Sequence, residues 1–143
     1  MTVPTWTLLG FALWTIAVLM VGIGIRRWQL ILTGQAQLTD FPADTPHGSA
    51  AYRRAVRAHA NCFENLPVYA AIVVALQAAK LDTATLDLLG VAVLAARIGQ
   101  STVHMSFVET NATVLLRFSL FLTQIVAMLW MAAAVVLHVQ FPT

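Results

Sequence analysis

Arg53-Arg54-Ala55-Val56-Arg57-Ala58-His59-Ala60-Asn61-Cys62-Phe63-Glu64-Asn65-Leu66-Pro67 is a dense polar run that leads directly into an apolar one. On a helix at about 100° per residue, Arg53, Glu64, Arg57, Asn61, Arg54 and Asn65 share an arc of roughly 120°, while His59, Cys62 and Tyr69 point elsewhere. Lipid cannot satisfy three arginines, a carboxylate and two amides. A helix carrying this stripe into a membrane must therefore turn it toward protein, water or a ligand, and the stripe reads as one wall of a polar pocket.

The rest of the chain requires a membrane. Of its 143 residues 59% are hydrophobic and only 10% are charged, outside the balance of a soluble domain. The apolar residues fall in four blocks, which predicts an all-α, integral membrane four-helix bundle of one domain spanning residues 1–143. A net charge of +2, with no basic run interleaved with aromatics, argues against a nucleic-acid partner. Seven of the eight basic residues are arginine, whose rigid fork of donors suits carboxylates and phosphates. The single cysteine, Cys62, excludes an internal disulfide and reads as a small buried side chain. The four histidines have no metal-ligand spacing, and no phosphate-binding glycine loop or nucleophile elbow is present.

Trp6 to Ile25 carries no charge and is long enough to cross a hydrocarbon layer of roughly 30 Å. Arg26-Arg27 close it, the reverse of a secretory signal, so the segment is expected to be retained. Trp28 to Gly48, punctuated by Gly34, Asp40, Pro42, Asp44 and Pro46, reads as an irregular loop, with Ser49 as the cap of the next helix. The second span is expected at Ala60–Ala79, with helix projecting from Tyr52. The third is expected at Leu86–His104 and the fourth at Val114–His138, ahead of a short tail with Pro142. Five arginines flank the first loop and only Lys80 lies opposite, which predicts cytoplasmic first and third loops. No retention signal of the Lys-Asp-Glu-Leu type is present, and a bacterial inner membrane is the expected location.

Alternation of four spans brings the polar chemistry to one face of the membrane: Arg26 and Arg27, the Arg53–Asn65 stripe, Gln100 with His104, and Arg117. Arg97, Gln100, Ser101 and His104 lie within about 100° of arc on the third span. Arg97 sits about 10 Å inside His104, where an unpaired guanidinium is costly, and Glu64 is its expected partner. Arg117, Gln124 and Met128 share one side of the fourth span.

Arg57-Ala58-His59-Ala60-Asn61, followed by Glu64 and Pro67, resembles the second-helix signature of the membrane-associated proteins in eicosanoid and glutathione metabolism, the MAPEG family. Ala96-Arg97 with Gln100 and His104 resembles that family's third-helix motif. The likeness implies a left-handed four-helix bundle assembled as a homotrimer, with glutathione bound between subunits at the cytoplasmic side. It implies that Arg54, Arg57, Asn61, Glu64, Asn65, Arg97 and Gln100 bind glutathione as co-substrate, without a metal. Arg117, with His104, is the implied catalytic group, steadying the thiolate. The implied function is a membrane-embedded transferase or peroxidase acting on lipophilic electrophiles that reach it from the surrounding lipid. The alternative is a non-catalytic lipid- or metabolite-binding protein of the same fold.

The chain departs from the eicosanoid-type enzymes in three places. His104 stands where they carry a tyrosine, Asn65 follows the helix-two glutamate in place of a tyrosine, and Arg117 comes thirteen residues after His104. Structural readings compete as well. Arg53 and Arg54 would serve as interfacial anchors, Arg57, Asn61 and Glu64 as a packing network with Arg97, His104 as an interfacial side chain, and His59 as a packing hydrogen bond.

Overall fold

A computed structural model of the chain describes residues 1–42 and 47–140. Among these residues the architecture is all-helical, without a strand, and four rods form the bundle. The first rod is compound: α1 (Val3–Ala17), a π-helical turn and a half (Val18–Gly24), and α2 (Ile25–Leu32). The others are α3 (Ala50–Ala78), α4 (Ala84–Ser106) and α5 (Asn111–Gln140). The first rod, α4 and α5 are each long and apolar enough to cross a membrane. The polar first half of α3 keeps it from reading as a span by composition, yet it packs along α1, α4 and α5 as the fourth member of the bundle.

Local chemistry sets the ends. Pro4 occupies the first turn of α1, where its missing N–H costs nothing. The expected Ser49 cap forms, with its hydroxyl accepting from Tyr52 N at 3.3 Å. α3 is closed off two residues beyond Ala78 by Lys80, which takes a left-handed φ of 53° so that Leu81 N reaches the Leu76 carbonyl at 3.0 Å. Thr83 then caps α4, accepting from Leu86 N. The first rod does not stop at Arg26-Arg27. It runs on to Leu32 because no breaker intervenes before Gly34 (φ 70°), so Trp28–Leu32, expected as irregular loop, is helical. Asp44, Pro46 and Pro142 lie outside the described residues.

α4 is the central element, packed against α1, α3 and α5. The main core gathers Phe11, Cys62, Tyr69, Val73, Leu76, Leu86, Val93, Ala127, Met128 and Met131. Close approach at two glycines draws the rods together. A Cβ on Gly90 would stand 3.0 Å from Thr7 Oγ1 and 3.1 Å from the Tyr69 hydroxyl, and one on Gly22 would stand 3.1 Å from Ala55 Cβ. Beyond Gly22, Ile23, Tyr52 and Ala55 form a smaller cluster against Met105. Arg27 donates from Nε to the Tyr52 hydroxyl and lies over the Phe41 and Tyr52 rings, at 5.2 and 5.6 Å. That clasp holds the first loop against the start of α3.

Candidate functional site

The third-span polar face forms as its spacing predicts. Arg97, Gln100, Ser101 and His104 are all buried, each a turn or less from the next along α4. α5 faces them with Gln124, whose Nε2 donates to Gln100 Oε1 at 3.1 Å, and with Arg117, which donates from Nη1 to His104 Nδ1. α3 supplies Ala58 and Asn61. Between the three helices lies a cavity of about 310 Å³, lined by Ala58, Asn61, Arg97, Gln100, Ser101, His104, Val114, Arg117, Phe118 and Phe121.

Arg97 dominates its electrostatics. The side chain has no exposed surface, and none of its three guanidinium nitrogens makes a hydrogen bond of ordinary geometry among the described residues. Its neighbours are the Phe11 ring, 5.2 Å from the guanidinium carbon, and the Cys62 thiol. The ring face gives a cation some compensation, far less than a carboxylate would. The expected partner, Glu64, is exposed and not bonded to it. The reason is angular: Glu64 lies two residues past Cys62, roughly 200° round α3, so when Cys62 faces Arg97 the carboxylate faces away. Cys62 is buried, as expected, but it is no bystander. Its Sγ lies 3.3 Å from Ser101 Oγ, which in turn donates to the Arg97 carbonyl at 2.8 Å.

The α3 stripe is split by the structure into two edges. Asn61 belongs to the cavity, and Asn65, one turn on, donates at 2.8 Å to the Asn61 carbonyl. Arg53, Arg57 and Glu64 lie on the outer edge, exposed, with Arg54 half-buried between. Arg53, Arg54 and Arg57 line a second cavity of about 230 Å³ with Ala50, Val108 and Glu109. Of the pair that closes the first span, Arg26 is exposed and Arg27 is engaged with Tyr52, so neither lines a described cavity. His59 is half-buried, and its Nδ1 makes no hydrogen bond among the described residues.

Glu109 was not among the expected site residues. It sits in the loop between α4 and α5, where no periodicity marks it, and its Oε1 lies 3.4 Å from Arg57 Nη1 and 3.6 Å from Arg117 Nη1. A loop residue is placed by the ends of two helices, and residue spacing along either helix carries no information about it. Phe118 and Phe121 were missed for a different reason: they read as ordinary apolar positions of the fourth span. Phe118 also lines an outer apolar groove of about 650 Å³ between α4 and α5, with Leu89, Leu122, Val126 and Trp130 among its walls. The polar cavity and the apolar groove therefore share a wall.

The site thus combines fixed cations, amide donors and an adjoining apolar surface at one end of a membrane bundle. No curated protein and no solved structure matches the chain. The family model for the MAPEG family does, over residues 3–137, nearly the entire length. The chain belongs to the MAPEG family, the membrane-associated proteins in eicosanoid and glutathione metabolism.

Proposed function

We propose that the protein is a membrane-embedded, glutathione-dependent transferase or peroxidase acting on lipophilic electrophiles. The observation that carries this reading is Arg97: a fully buried guanidinium, without an acidic partner among the described residues, at the wall of a cavity that Arg117 also lines. Such a cation is expensive to maintain unless an anion joins it. Glutathione brings two carboxylates and an ammonium. Arg97, Gln100 and Asn61 hold it from inside the bundle, and Arg54 and Arg57 from the outer edge. Arg117, already donating to His104, favours the thiolate over the thiol. The thiolate forms a C–S bond to the electrophile as the leaving group departs, and the apolar groove behind Phe118 presents that electrophile at close range.

The outer edge of α3 supports a homotrimer in a bilayer. Glu64 lies four residues inside the expected second span, yet in a single protomer it is exposed. Lipid is a poor environment for that carboxylate, and a neighbouring subunit covers it in this reading. Glu64 and Asn65 then serve the ligand from the subunit boundary, alongside the neighbour. A single membrane domain with cytoplasmic first and third loops, in a bacterial inner membrane, completes the reading. The groove equally accommodates a retained lipid, which favours non-catalytic lipid binding as the second reading.

Calorimetric titration of glutathione into the detergent-solubilised protein tests the proposal. Saturable binding that Arg57→Ala or Glu64→Gln weakens is expected, together with a thiolate absorbance that Arg117→Ala abolishes while much of the binding remains. An intact oligomer that gives no heat overturns the glutathione reading and directs attention to copurifying lipid.

A further inference from the structure

The connection between α4 and α5 is only Phe107–Thr110, and its ends are tied down. Phe107 N donates to the Val103 carbonyl at 3.1 Å, and Thr113 Oγ1 donates to the Val108 carbonyl at 3.0 Å. Glu109 stands on this short bridge with one carboxylate oxygen directed at two guanidinium groups from different helices. One of them, Arg117, lines the inner cavity, and the other, Arg57, lines the outer one. Glu109 itself lines the outer cavity, so its carboxylate lies at the boundary between two arginine-lined spaces.

Both contacts are loose. At 3.4 and 3.6 Å they are longer than the roughly 2.7–2.9 Å of a well-made guanidinium–carboxylate bond, and the Glu109 side chain is 49% exposed. A half-solvated ion pair of this kind contributes little to stability, so moving it aside costs little. A ligand carboxylate entering at the same point can meet the same arginines at shorter range. Among the charged side chains lining the two cavities, Arg53, Arg54, Arg57, Arg97 and Arg117 oppose Glu109 alone.

We infer that Glu109 is a specificity-determining residue: its carboxylate stands in for an anionic group of the ligand, engages Arg57 and Arg117 in the free protein, and yields to a ligand that supplies an anion of its own. Displacing it joins the inner and outer cavities, which suits a ligand with two separated anionic groups. A neutral thiol brings nothing to exchange for Glu109 and is disfavoured. The identity of the natural ligand rests on the glutathione reading, but the exchange does not.

The test is peptide-resolved labelling of Arg117 by phenylglyoxal in the detergent-solubilised protein, with inorganic phosphate and, separately, glutathione as protectants. Glu109→Gln is expected to accelerate Arg117 labelling by about twofold, the factor that corresponds to an exposed pair of ordinary strength. Glu109→Asp, which keeps the charge but shortens the reach, is expected to fall between Glu109→Gln and the native protein. Phosphate is expected to protect Arg117 at a lower concentration in Glu109→Gln. Unchanged labelling and unchanged protection in Glu109→Gln overturn the inference, as does Glu109→Asp behaving like the native protein, which would reduce the effect to net charge. If phosphate protects as expected and glutathione does not, the exchange stands and the glutathione reading fails.

Discussion

The end of the bundle around Tyr69 and the end around Arg97 treat their largest buried polar side chains differently. At the first, the Tyr69 hydroxyl meets Thr7 Oγ1 at 2.7 Å, Thr7 donates to the Pro4 carbonyl at 3.0 Å, and Gly90 leaves space for both. Phe11 and Tyr69 pack with ring centroids 6.1 Å apart, and Val73, Leu76 and Met131 complete a filled interior. At the second, a guanidinium is buried beside a cavity of about 310 Å³ with no carboxylate bonded to it among the described residues, which also give the oxygen of Gln124 no hydrogen bond. At the first end the tyrosine and threonine hydroxyls join helices, and at the second Gln124 with Gln100 and Arg117 with His104 do the same while the Arg97 guanidinium is left over. Satisfied polar groups make a scaffold, and unsatisfied ones in a cleft mark the place where a partner is awaited.

The comparison is open to direct attack. Arg97→Met keeps length while removing the charge. It is expected to weaken glutathione binding by roughly 30-fold or more, because a buried charged contact to the ligand is lost. Thermal stability in detergent should hold or rise, since no ionised partner is stranded. Marked destabilisation in the melt would instead make Arg97 part of the scaffold. Met131→Ala, in the filled interior, is expected to do the reverse, costing about 2–5 kcal/mol of stability in an unfolding titration while leaving the glutathione dissociation constant unchanged.

Smaller effects sharpen the contrast. Gly90→Ala places a methyl 3.0 Å from Thr7 Oγ1, 3.1 Å from the Tyr69 hydroxyl and 3.3 Å from Pro4 Cα, and is expected to cost about 2 kcal/mol by overpacking, read as a lowered midpoint. Thr7→Val removes the acceptor of the Tyr69 hydroxyl and is expected to cost about 1 kcal/mol in the same measurement. A change in ligand binding from either would show that the two ends are coupled.

The residue spacing made one side of this comparison legible and left the other obscure. Four apolar blocks imply four membrane helices, and the 100° step puts Arg97, Gln100, Ser101 and His104 on one face. The Ser49 cap was likewise readable. A helical wheel, however, describes one helix and not the rotation of its neighbour, which is why Glu64 looked like the partner of Arg97 when Cys62 faces it instead. Wheels also carry no information about loops, so Glu109 is legible in the sequence only as part of a polar loop and not as a site residue. Nor could they reveal that Arg27 would be held by Tyr52 and Phe41, because that contact depends on where the first loop returns.

The π-helical stretch Val18–Gly24 has a consequence of its own. There Ile25 N–H reaches back five residues to the Met20 carbonyl in place of four, so the rod accommodates an additional residue without lengthening by a full step. Everything after Gly24 is consequently out of phase with everything before it by about one residue's rotation, roughly 100°. The stretch acts as a vernier: the apolar part of the rod keeps Phe11 and Thr15 turned inward while Arg26 and Arg27 are aimed independently. Deleting a single residue there, such as Val21, would let the rod close into an ordinary α-helix with Arg27 still aimed at Tyr52, whereas forcing the stretch into an α-helix at its full length would swing Arg27 off Tyr52 by about 100°, disconnecting the first loop from α3 with no charged residue altered.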